Sequence, residues 1–226
     1  MAEIQRSYCI IVKNKACDNS LLIFIKHPES GKVKTRLAND IGKDNAAYYY
    51  SLMSKYLLKN VHNSDKYETL IFYDPPDKKS EISKWLDIED IMLHPQIGND
   101  LGQRISNSIS QALNLGYRKV VVIGSDCIDI SKKLIEDIYE SLIKYDVVVG
   151  PTFDGGYYLI GIKRYLPKIF TDIQWSTESV FKQTISIIKK LELKYYVLDK
   201  LGDIDTVNDL KDRNIMHKIQ FNFKGK

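Results

Sequence analysis

The sequence is poor in cysteine and has no long hydrophobic run. Its 226 residues include only Cys9, Cys17 and Cys127, an odd number without a C-x-x-C pair. This pattern argues against a disulfide framework and against a zinc site, and we interpret Cys127 as a small buried apolar residue. The longest apolar runs, such as 21–25 and 120–123, are far too short to span a bilayer. We therefore expect a protein that neither spans a membrane nor depends on disulfides.

The first twenty residues lack the features of a targeting signal. They carry scattered charge and no apolar core of signal-peptide length, so we expect a cytoplasmic protein. We expect a single domain whose core covers about 21–213. Residues 1–20 are interpreted as an appendage to it, in which 8–12 could form a short strand. The net charge of +4 is mild and the lysines are scattered, which argues against nucleic acid as the main partner.

Two common nucleotide-binding motifs are also missing. No G-x-G-x-x-G follows the first predicted strand, which argues against a dinucleotide-binding Rossmann site. The Gly31-Lys32 pair does not form a P-loop, because Lys26 and Val33 stand where that motif needs glycine and Ser/Thr. Any phosphate site must therefore be built from other residues.

What the sequence does contain is an alternation of buried strands and amphipathic helices. Apolar runs and helical periodicity predict strands at 21–25, 69–73, 91–93, 120–123 and 146–150, and helices at 44–62, 79–86, 99–115, 132–144 and 178–191. Near the end, a strand at 157–162 returns in a hairpin-like path, and a strand at 194–198 and a short helix at 207–213 follow. The pattern predicts a three-layer α/β/α domain with a mostly parallel sheet.

The central strand, 120–123, ends abruptly in Gly-Ser-Asp. Ligands of open α/β sheets bind beyond the carboxyl ends of the strands, so Asp126 stands where a carboxylate can hold a divalent cation against a phosphate. The alternative is that Asp126 or Asp129 only caps the helix that starts near Ser131. We expect Asp129 to be the cap and Asp126 the metal ligand.

A basic loop follows the first strand. Gly31, Lys32, Lys34 and Arg36 lie within six residues, and such a combination of glycine backbone with cationic side chains suits a pyrophosphate. A solvated basic loop is the alternative interpretation. The position of the loop after a strand favours phosphate binding, with Lys34 and Arg36 as candidate catalytic groups.

Two further stretches carry carboxylates. Asp154, beside two glycines in 151–158, is a candidate general base or acceptor-positioning group, although a tight turn would need the same glycines. Residues 175–177 either wall the same cleft or supply a helix cap and a core tryptophan. Asp203 and Asp205 alternate along an extended segment and so share a side. With Asp126 they would complete an oxygen cage for Mg²⁺ or Mn²⁺.

Taken in order, these stretches resemble the DUF2064 family of GT-A-like bacterial proteins. The resemblance covers about 21–213 and rests on a set of motifs in the family's order: G-K-x-K-T-R-L from Gly31, Gly98–Arg104, Gly124–Cys127, Gly150–Gly161, Trp175–Thr177 and Asp203–Thr206. Ile128 departs from the family pattern, which commonly has proline there. The resemblance implies the nucleotide-diphospho-sugar transferase fold, which molybdenum cofactor guanylyltransferases and 2-phospho-L-lactate guanylyltransferase share.

The resemblance also assigns roles to residues. By analogy, Gly31, Lys34 and Arg36 would hold the nucleotide phosphates, and Asp126 with Asp205 would coordinate the metal. The stretch from Gly98 to Gly102 would line the base pocket. Arg104 and Ser125 belong to the same motifs and join the expected nucleotide-binding set.

Two enzymatic functions and one binding function remain open at this point. The first is a metal-dependent glycosyltransferase that passes a sugar from a nucleotide sugar to a small acceptor near Asp154. The alternative is a nucleotidyltransferase that joins a nucleoside monophosphate from an NTP to a phosphorylated acceptor. A non-catalytic nucleotide sensor is the third hypothesis, and carboxylates at three strand ends argue against it because a sensor needs no metal cage.

Overall fold

The structure is a computed structural model that describes residues 17–62, 64–88 and 90–212. The N-terminal appendage up to residue 16, including Cys9 and the strand considered at 8–12, lies outside the described residues. Cys17 and Cys127 form no disulfide within the described residues, and Cys127 is fully buried as predicted. Within the described ranges, no helix combines the length and the apolar character needed to cross a bilayer.

A seven-stranded sheet forms the middle layer. Its strands are β1 (Asn19–Lys26), β2 (Glu68–Asp74), β3 (Met92–Pro95), β4 (Lys119–Gly124), β5 (Val147–Pro151), β6 (Tyr157–Ile162) and β7 (Tyr195–Val197), in the spatial order β3-β2-β1-β4-β6-β5-β7. Four of the six neighbouring pairs are parallel, and β6 runs antiparallel to both β4 and β5. The predicted mostly parallel sheet and the returning strand are confirmed.

Helices cover both faces of this sheet. They are α1 (Thr35–Ile41), α2 (Lys43–Val61), α3 (Lys79–Leu86), α4 (Leu101–Asn114), α5 (Lys132–Lys144), α6 (Val180–Lys190) and α7 (Val207–Asp212). One core cluster packs α2, α3 and α5 on one face, and a second packs α4 and α6 on the other, because alternate strand residues point to opposite faces. The three-layer α/β/α prediction is confirmed.

Three local predictions are corrected. Helix α1 begins at Thr35, inside the stretch expected to be loop. Ser131, whose side chain accepts from the Leu134 amide, caps α5 in place of the expected Asp129. Helical periodicity over 99–115 predicts that Leu101 faces inward with Ile105 and Ile109, but Leu101 is 44% exposed because it is the first residue of α4, directly after the cap Asp100.

The carboxyl ends of β1 to β5 and β7 lie at one edge of the sheet. The first four strands are mutually parallel, and β5 runs in their direction because β6 is antiparallel to both β4 and β5; β7 is parallel to β5. The segments that follow β1, β4, β5 and β7 therefore converge on this edge. These segments carry the candidate site residues.

Candidate active site

The centre of the site is an ion-pair cluster formed by Lys34, Asp126 and Asp205. The Lys34 ammonium donates to Asp126 Oδ2 at 2.9 Å and to Asp205 Oδ1 at 2.7 Å. The Lys34 side chain is only 5% exposed, whereas the two carboxylates are about a third exposed. Arg36 Nη1 lies 3.3 Å from the second oxygen of Asp205. The structure thus joins the basic loop to the acidic segments expected opposite it.

A third hydrophobic cluster holds these segments in place. Val33, which precedes Lys34, and Ile204, which lies between the two aspartates, are both buried in it together with Ile128, two residues after Asp126. Helices α1, α2 and α7 supply the rest of the cluster. Because each buried residue is a near neighbour of a charged one, packing of the apolar side chains fixes where the charges stand.

Lys34 has an unusual backbone conformation for a residue with a side chain. Its φ of 47° and ψ of 50° lie in the left-handed region, immediately before helix α1. This conformation costs about 1–2 kcal/mol in a non-glycine residue and persists where the surroundings enforce it. Burial alone would lower the pKa of Lys34, but the charges of Asp126 and Asp205 outweigh it and raise that pKa. The ammonium is therefore a permanent cation.

The larger of two adjoining cavities opens beside this cluster. It has a volume of about 460 Å³, within the range of about 300–1,000 Å³ typical of small-molecule sites. Its lining combines the basic loop and the end of β4, including Lys34, Arg36, Ser125, Asp126 and Asp205. The Ser125 hydroxyl is hydrogen-bonded to Tyr50 Oη at 2.9 Å.

The smaller cavity, of about 300 Å³, is lined by the segments after β5 and β7. Arg36 and Asp205 line both cavities, so the two spaces meet at these residues. Asp154 and Asp203 line only the smaller one. Since Asp203 and Asp205 both face this cavity, the prediction that they share a side is confirmed.

The two carboxyls of the smaller cavity differ in their environments. Burial raises the pKa of Asp154, but hydrogen bonds from the Thr152 hydroxyl and the Gly156 amide, with the charge of Arg36, outweigh it, and the net shift is downward. Burial and then the nearby charge of Asp126 raise the pKa of Asp203 to about 7, against the opposing effect of Lys34. Asp203 Oδ1 is sealed from solvent and has no hydrogen-bond partner among the described residues.

Four residues of the expected nucleotide-binding set lie outside the lining of both cavities. Gly31 has a positive φ of 77° in the basic loop. Gly98 approaches the Arg104 amide so closely that a Cβ would lie 2.7 Å from it, and Arg104 pairs with Asp74. Gly102 lies against the Trp175 indole, which would be 2.4 Å from a Cβ. The role of these four residues in nucleotide binding stays a prediction.

Packing bears on the alternatives that the sequence left open for residues 175–177 and for the glycines beside Asp154. Trp175 is partly buried, packs edge-on against Tyr157 and against the second core cluster, and lines neither cavity. The expected helix cap at 175–177 is wrong, because α6 begins at Val180 with Ser179 as its N-cap. Gly155 has a φ of 90°, and a Cβ there would lie 2.0 Å from the Glu178 carbonyl oxygen. The turn after β5 therefore requires glycine at this position, while Asp154 still faces the cavity.

The donor set suits a hard divalent cation. Asp126 and Asp205 offer only carboxylate oxygens and already bracket one positive charge, and the sealed Asp203 oxygen lacks a partner. Such oxygen ligands are those that Mg²⁺ and Mn²⁺ prefer. In the part of the chain that the structure describes, no three His, Cys, Asp or Glu side chains are grouped as a ready metal site.

Several residues that line the cavities were not among the expected site residues, and three of them are Gln96, Tyr50 and Phe153. Gln96 follows β3 at its carboxyl end, Tyr50 projects from α2, and Phe153, which is 71% exposed, precedes Asp154. The position of Gln96 directly after a strand is the same signal that identified Asp126. Tyr50 gave no such signal, because its place in the helical pattern predicts an ordinary core residue.

The fold and the charged edge define a protein of the nucleotide-diphospho-sugar transferase class of folds. A solved structure from Desulfovibrio desulfuricans G20, provisionally described as a nucleotide-diphospho-sugar transferase, matches with a TM-score of 0.81 and 35% identity over 86% of this chain and 85% of that one. The family model described as "Uncharacterized protein conserved in bacteria (DUF2064)" matches residues 57–177. The chain belongs to the DUF2064 family.

Curated relatives carry a more specific name. The 2-phospho-L-lactate guanylyltransferase of Methanocaldococcus jannaschii is 33% identical over 110 residues, which is 47% of this chain and 47% of the relative. The protein of the same name from Methanocaldococcus vulcanius is 25% identical over 194 residues, 84% of this chain and 82% of the relative. The chain thus spans about half the length of the first of these relatives and most of the second.

Proposed function

We propose that this chain is a nucleotidyltransferase, which transfers a nucleoside monophosphate from an NTP to a small phosphorylated acceptor. The observation that carries the proposal is the pair of adjoining cavities that meet at Arg36 and Asp205, beside the Lys34 ammonium. A donor in the larger cavity and an acceptor in the smaller one would place their reacting groups at this junction. The curated relatives are named guanylyltransferases, which favours nucleotidyl transfer over glycosyl transfer.

The reaction forms one bond and breaks another at the α-phosphorus. An oxygen of the acceptor phosphate attacks that phosphorus, the new P–O–P bond forms, and the bridging oxygen to the β-phosphate leaves with pyrophosphate. Arg36, which is 68% exposed at the junction, is free to contact the phosphates of both substrates. Lys34 uses two of its three N–H donors on Asp126 and Asp205, which leaves one for a phosphate oxygen.

A divalent cation would bind beside the Lys34 ammonium, at the same carboxylates. Asp126 and Asp205 would hold Mg²⁺ or Mn²⁺, with Asp203 as a further ligand. When bound, the ion would neutralise charge on the triphosphate and on the departing pyrophosphate. Ser125, held by Tyr50, would donate its hydroxyl hydrogen to a phosphate or ribose oxygen in the larger cavity.

The environment of Asp154 also favours a phosphorylated acceptor. Its lowered pKa makes Asp154 a weak base, and one of its oxygens is already taken by Thr152 and Gly156. A hydroxyl acceptor needs a base to remove its proton, whereas a phosphate is already ionised at neutral pH. We therefore assign Asp154 to acceptor positioning.

Glycosyl transfer from a nucleotide sugar is the second candidate. The 35% identity to the Desulfovibrio protein over most of both chains favours it. The donor would occupy the same larger cavity, with a sugar in place of the third phosphate. Thus the two candidates differ in the product released from the donor, which is pyrophosphate in one case and a nucleoside diphosphate in the other.

The released product distinguishes these candidates. The protein is incubated with Mg²⁺ or Mn²⁺ and GTP, UTP, CTP or ATP, with 2-phospho-L-lactate as the first acceptor probe, and in parallel with UDP-, GDP- and dTDP-sugars. We expect NTPs to raise the melting temperature and pyrophosphate to be released only when acceptor is present. Asp205→Asn should abolish release, and the surface variant Asp137→Asn should not. Stabilisation by nucleotide sugars alone, with nucleoside diphosphate released, would refute nucleotidyl transfer.

A further inference from the structure

Gln96 is a buried polar side chain that lines the larger cavity. It is only 7% exposed and lies immediately after β3, where its backbone amide donates to the Tyr73 carbonyl at 2.8 Å. Its side-chain amide donates to the Ile25 carbonyl at 3.1 Å and to the Phe72 carbonyl at 2.9 Å. Gln96 therefore ties together the carboxyl ends of β1, β2 and β3.

These contacts fix which way the carboxamide faces. A carbonyl oxygen can accept but not donate, so the two main-chain carbonyls require the NH₂ group of Gln96 on their side. Both hydrogens of this NH₂ group are then used. Among the residues that the structure describes, none donates to Gln96 Oε1, and this oxygen is not among the atoms sealed from solvent. Oε1 is thus a pre-oriented acceptor that opens on the cavity.

The larger cavity has two chemically different ends. The ion-pair cluster of Lys34, Asp126 and Asp205 lies beyond β1 and β4, and Gln96 lies beyond β1, β2 and β3. The apolar side chains of Phe24 and Leu101 also line the cavity. A nucleotide with its phosphates at the charged cluster would extend along the sheet edge and bring its base toward Gln96.

We infer that Gln96 reads the nucleobase and selects bases that present a ring N–H. Guanine at N1 and uracil or thymine at N3 can donate to Gln96 Oε1. In the same position, adenine at N1 and cytosine at N3 would place a lone pair against the acceptor oxygen without a hydrogen between them. Their exocyclic amino groups would reach Gln96 Oε1 only if the base shifted along its edge, away from the position set by its phosphates. Because Gln96 cannot rotate its amide without breaking two hydrogen bonds to buried carbonyls, it cannot adapt to the wrong base.

This inference rests on the proposed function, because it requires a nucleotide donor. The unaltered protein supplies the first test, by titration calorimetry with GTP, ATP, UTP, CTP and N1-methyl-GTP in the presence of Mg²⁺. If purine nucleotides bind, we expect GTP to bind at least about tenfold more tightly than ATP; if pyrimidine nucleotides bind, we expect the same of UTP over CTP. A tenfold difference corresponds to about 1.4 kcal/mol, the effect of one unmet hydrogen bond. N1-methyl-GTP, which has lost the ring N–H, should bind about tenfold more weakly than GTP.

A variant separates base reading from a structural role of Gln96. Gln96→Met keeps the side-chain length but removes the acceptor, so the preference of GTP over ATP should fall to less than threefold. A purely structural role would weaken both nucleotides equally and leave the preference intact. The control is Gln183→Met on α6. The Gln183 amide bonds with Gln174 and Ser179, which line neither cavity, so this variant should keep the preference for GTP.

The outcomes also distinguish this inference from the proposed function. If no NTP and no nucleotide sugar binds, the proposed function fails. If nucleotides bind but N1-methyl-GTP and ATP bind within threefold of GTP, only the role of Gln96 is overturned. Should Gln96→Met fail to fold, as shown by its melting curve, the N1-methyl comparison on the unaltered protein still decides.

Discussion

Lys34 is a buried cation whose two partners lie far away in the sequence. Asp126 is 92 residues and Asp205 is 171 residues from it along the chain. The basic loop indicated an anion site, but nothing local in the sequence distinguishes a lysine that points to solvent from one enclosed by carboxylates. Only the packing of Val33 and Ile204 in the third hydrophobic cluster decides between them.

Replacement of Lys34 by methionine should destabilise the fold. The change leaves Asp126 and Asp205 facing each other without their shared cation. Removal of one partner from a fully buried pair costs about 3–5 kcal/mol, and we expect about 2 kcal/mol because both carboxylates are partly exposed. Urea denaturation at pH 7 measures this. Lys133→Met removes an exposed helical pair and should change stability by less than about 0.5 kcal/mol; an equal effect of both variants would contradict the account.

Asp203 and Asp205 should respond in opposite directions to the same substitution. Asp203 is ionised above its pKa of about 7 with one sealed, unpartnered oxygen, so Asp203→Asn should stabilise the protein at pH 8 by about 1–3 kcal/mol. At pH 5 the gain should be smaller, because the folded state then carries the protonated acid and the penalty is only partly present. Asp205→Asn weakens two ion pairs and should destabilise.

Thermal unfolding of these two variants at pH 5 and pH 8, in buffer with a chelator, tests this pair of expectations. Asn at either position leaves the backbone and side-chain volume nearly unchanged, so each variant is the size control of the other. Loss of stability in Asp203→Asn at pH 8 would show that the carboxylate has a favourable partner, contrary to the structure.

The bounds of helix α4 were predicted from the sequence, but the contact made by one of its residues, Gly102, was not. Its bounds and its buried positions Ile105 and Ile109 follow from periodicity. That Gly102 lines a base pocket stays a prediction, but in the structure it lies against the Trp175 ring, where a side chain would not fit. Contacts between α4 and a loop 73 residues later leave no periodic trace in the sequence.

Gly102→Ala should therefore destabilise the protein despite the higher helix propensity of alanine. The new Cβ would lie 2.4 Å from the indole, and overpacking of this kind costs about 1–3 kcal/mol against a propensity gain of about 1 kcal/mol. Ser110→Ala in the same helix adds no atom and should be nearly neutral. Chemical denaturation followed by tryptophan fluorescence reports both variants, and a Gly102→Ala protein as stable as the original would refute the packing argument.

At the scale of the whole molecule, the rule that ligands bind beyond the carboxyl ends of parallel strands predicted where the candidate residues would meet. Asp126 and Asp205 do meet at Lys34, because the strand directions determine which loops converge, and their role as metal ligands stays a prediction. Gly98 and Arg104, which also follow β3, lie outside the lining of both cavities, where the Arg104 guanidinium contacts the Gly98 carbonyl and Asp74. Strand order identifies the edge, while the direction of each side chain depends on packing that the sequence does not reveal.

The relation between the two cavities could not be predicted at all. Both cavities are made from segments separated by more than a hundred residues, and Arg36 and Asp205 line each of them. This shared boundary is what favours transfer between two bound substrates over simple binding. The account therefore depends on a donor whose phosphates lie at the charged junction.

A crystal structure of the protein with GTP and Mg²⁺ tests that claim most directly. We expect the triphosphate within hydrogen-bonding distance of Lys34 and Arg36, with the base toward Gln96 and the smaller cavity left open for the acceptor. A nucleotide bound away from the Lys34–Asp126–Asp205 cluster, or with its base in the smaller cavity, would contradict the account.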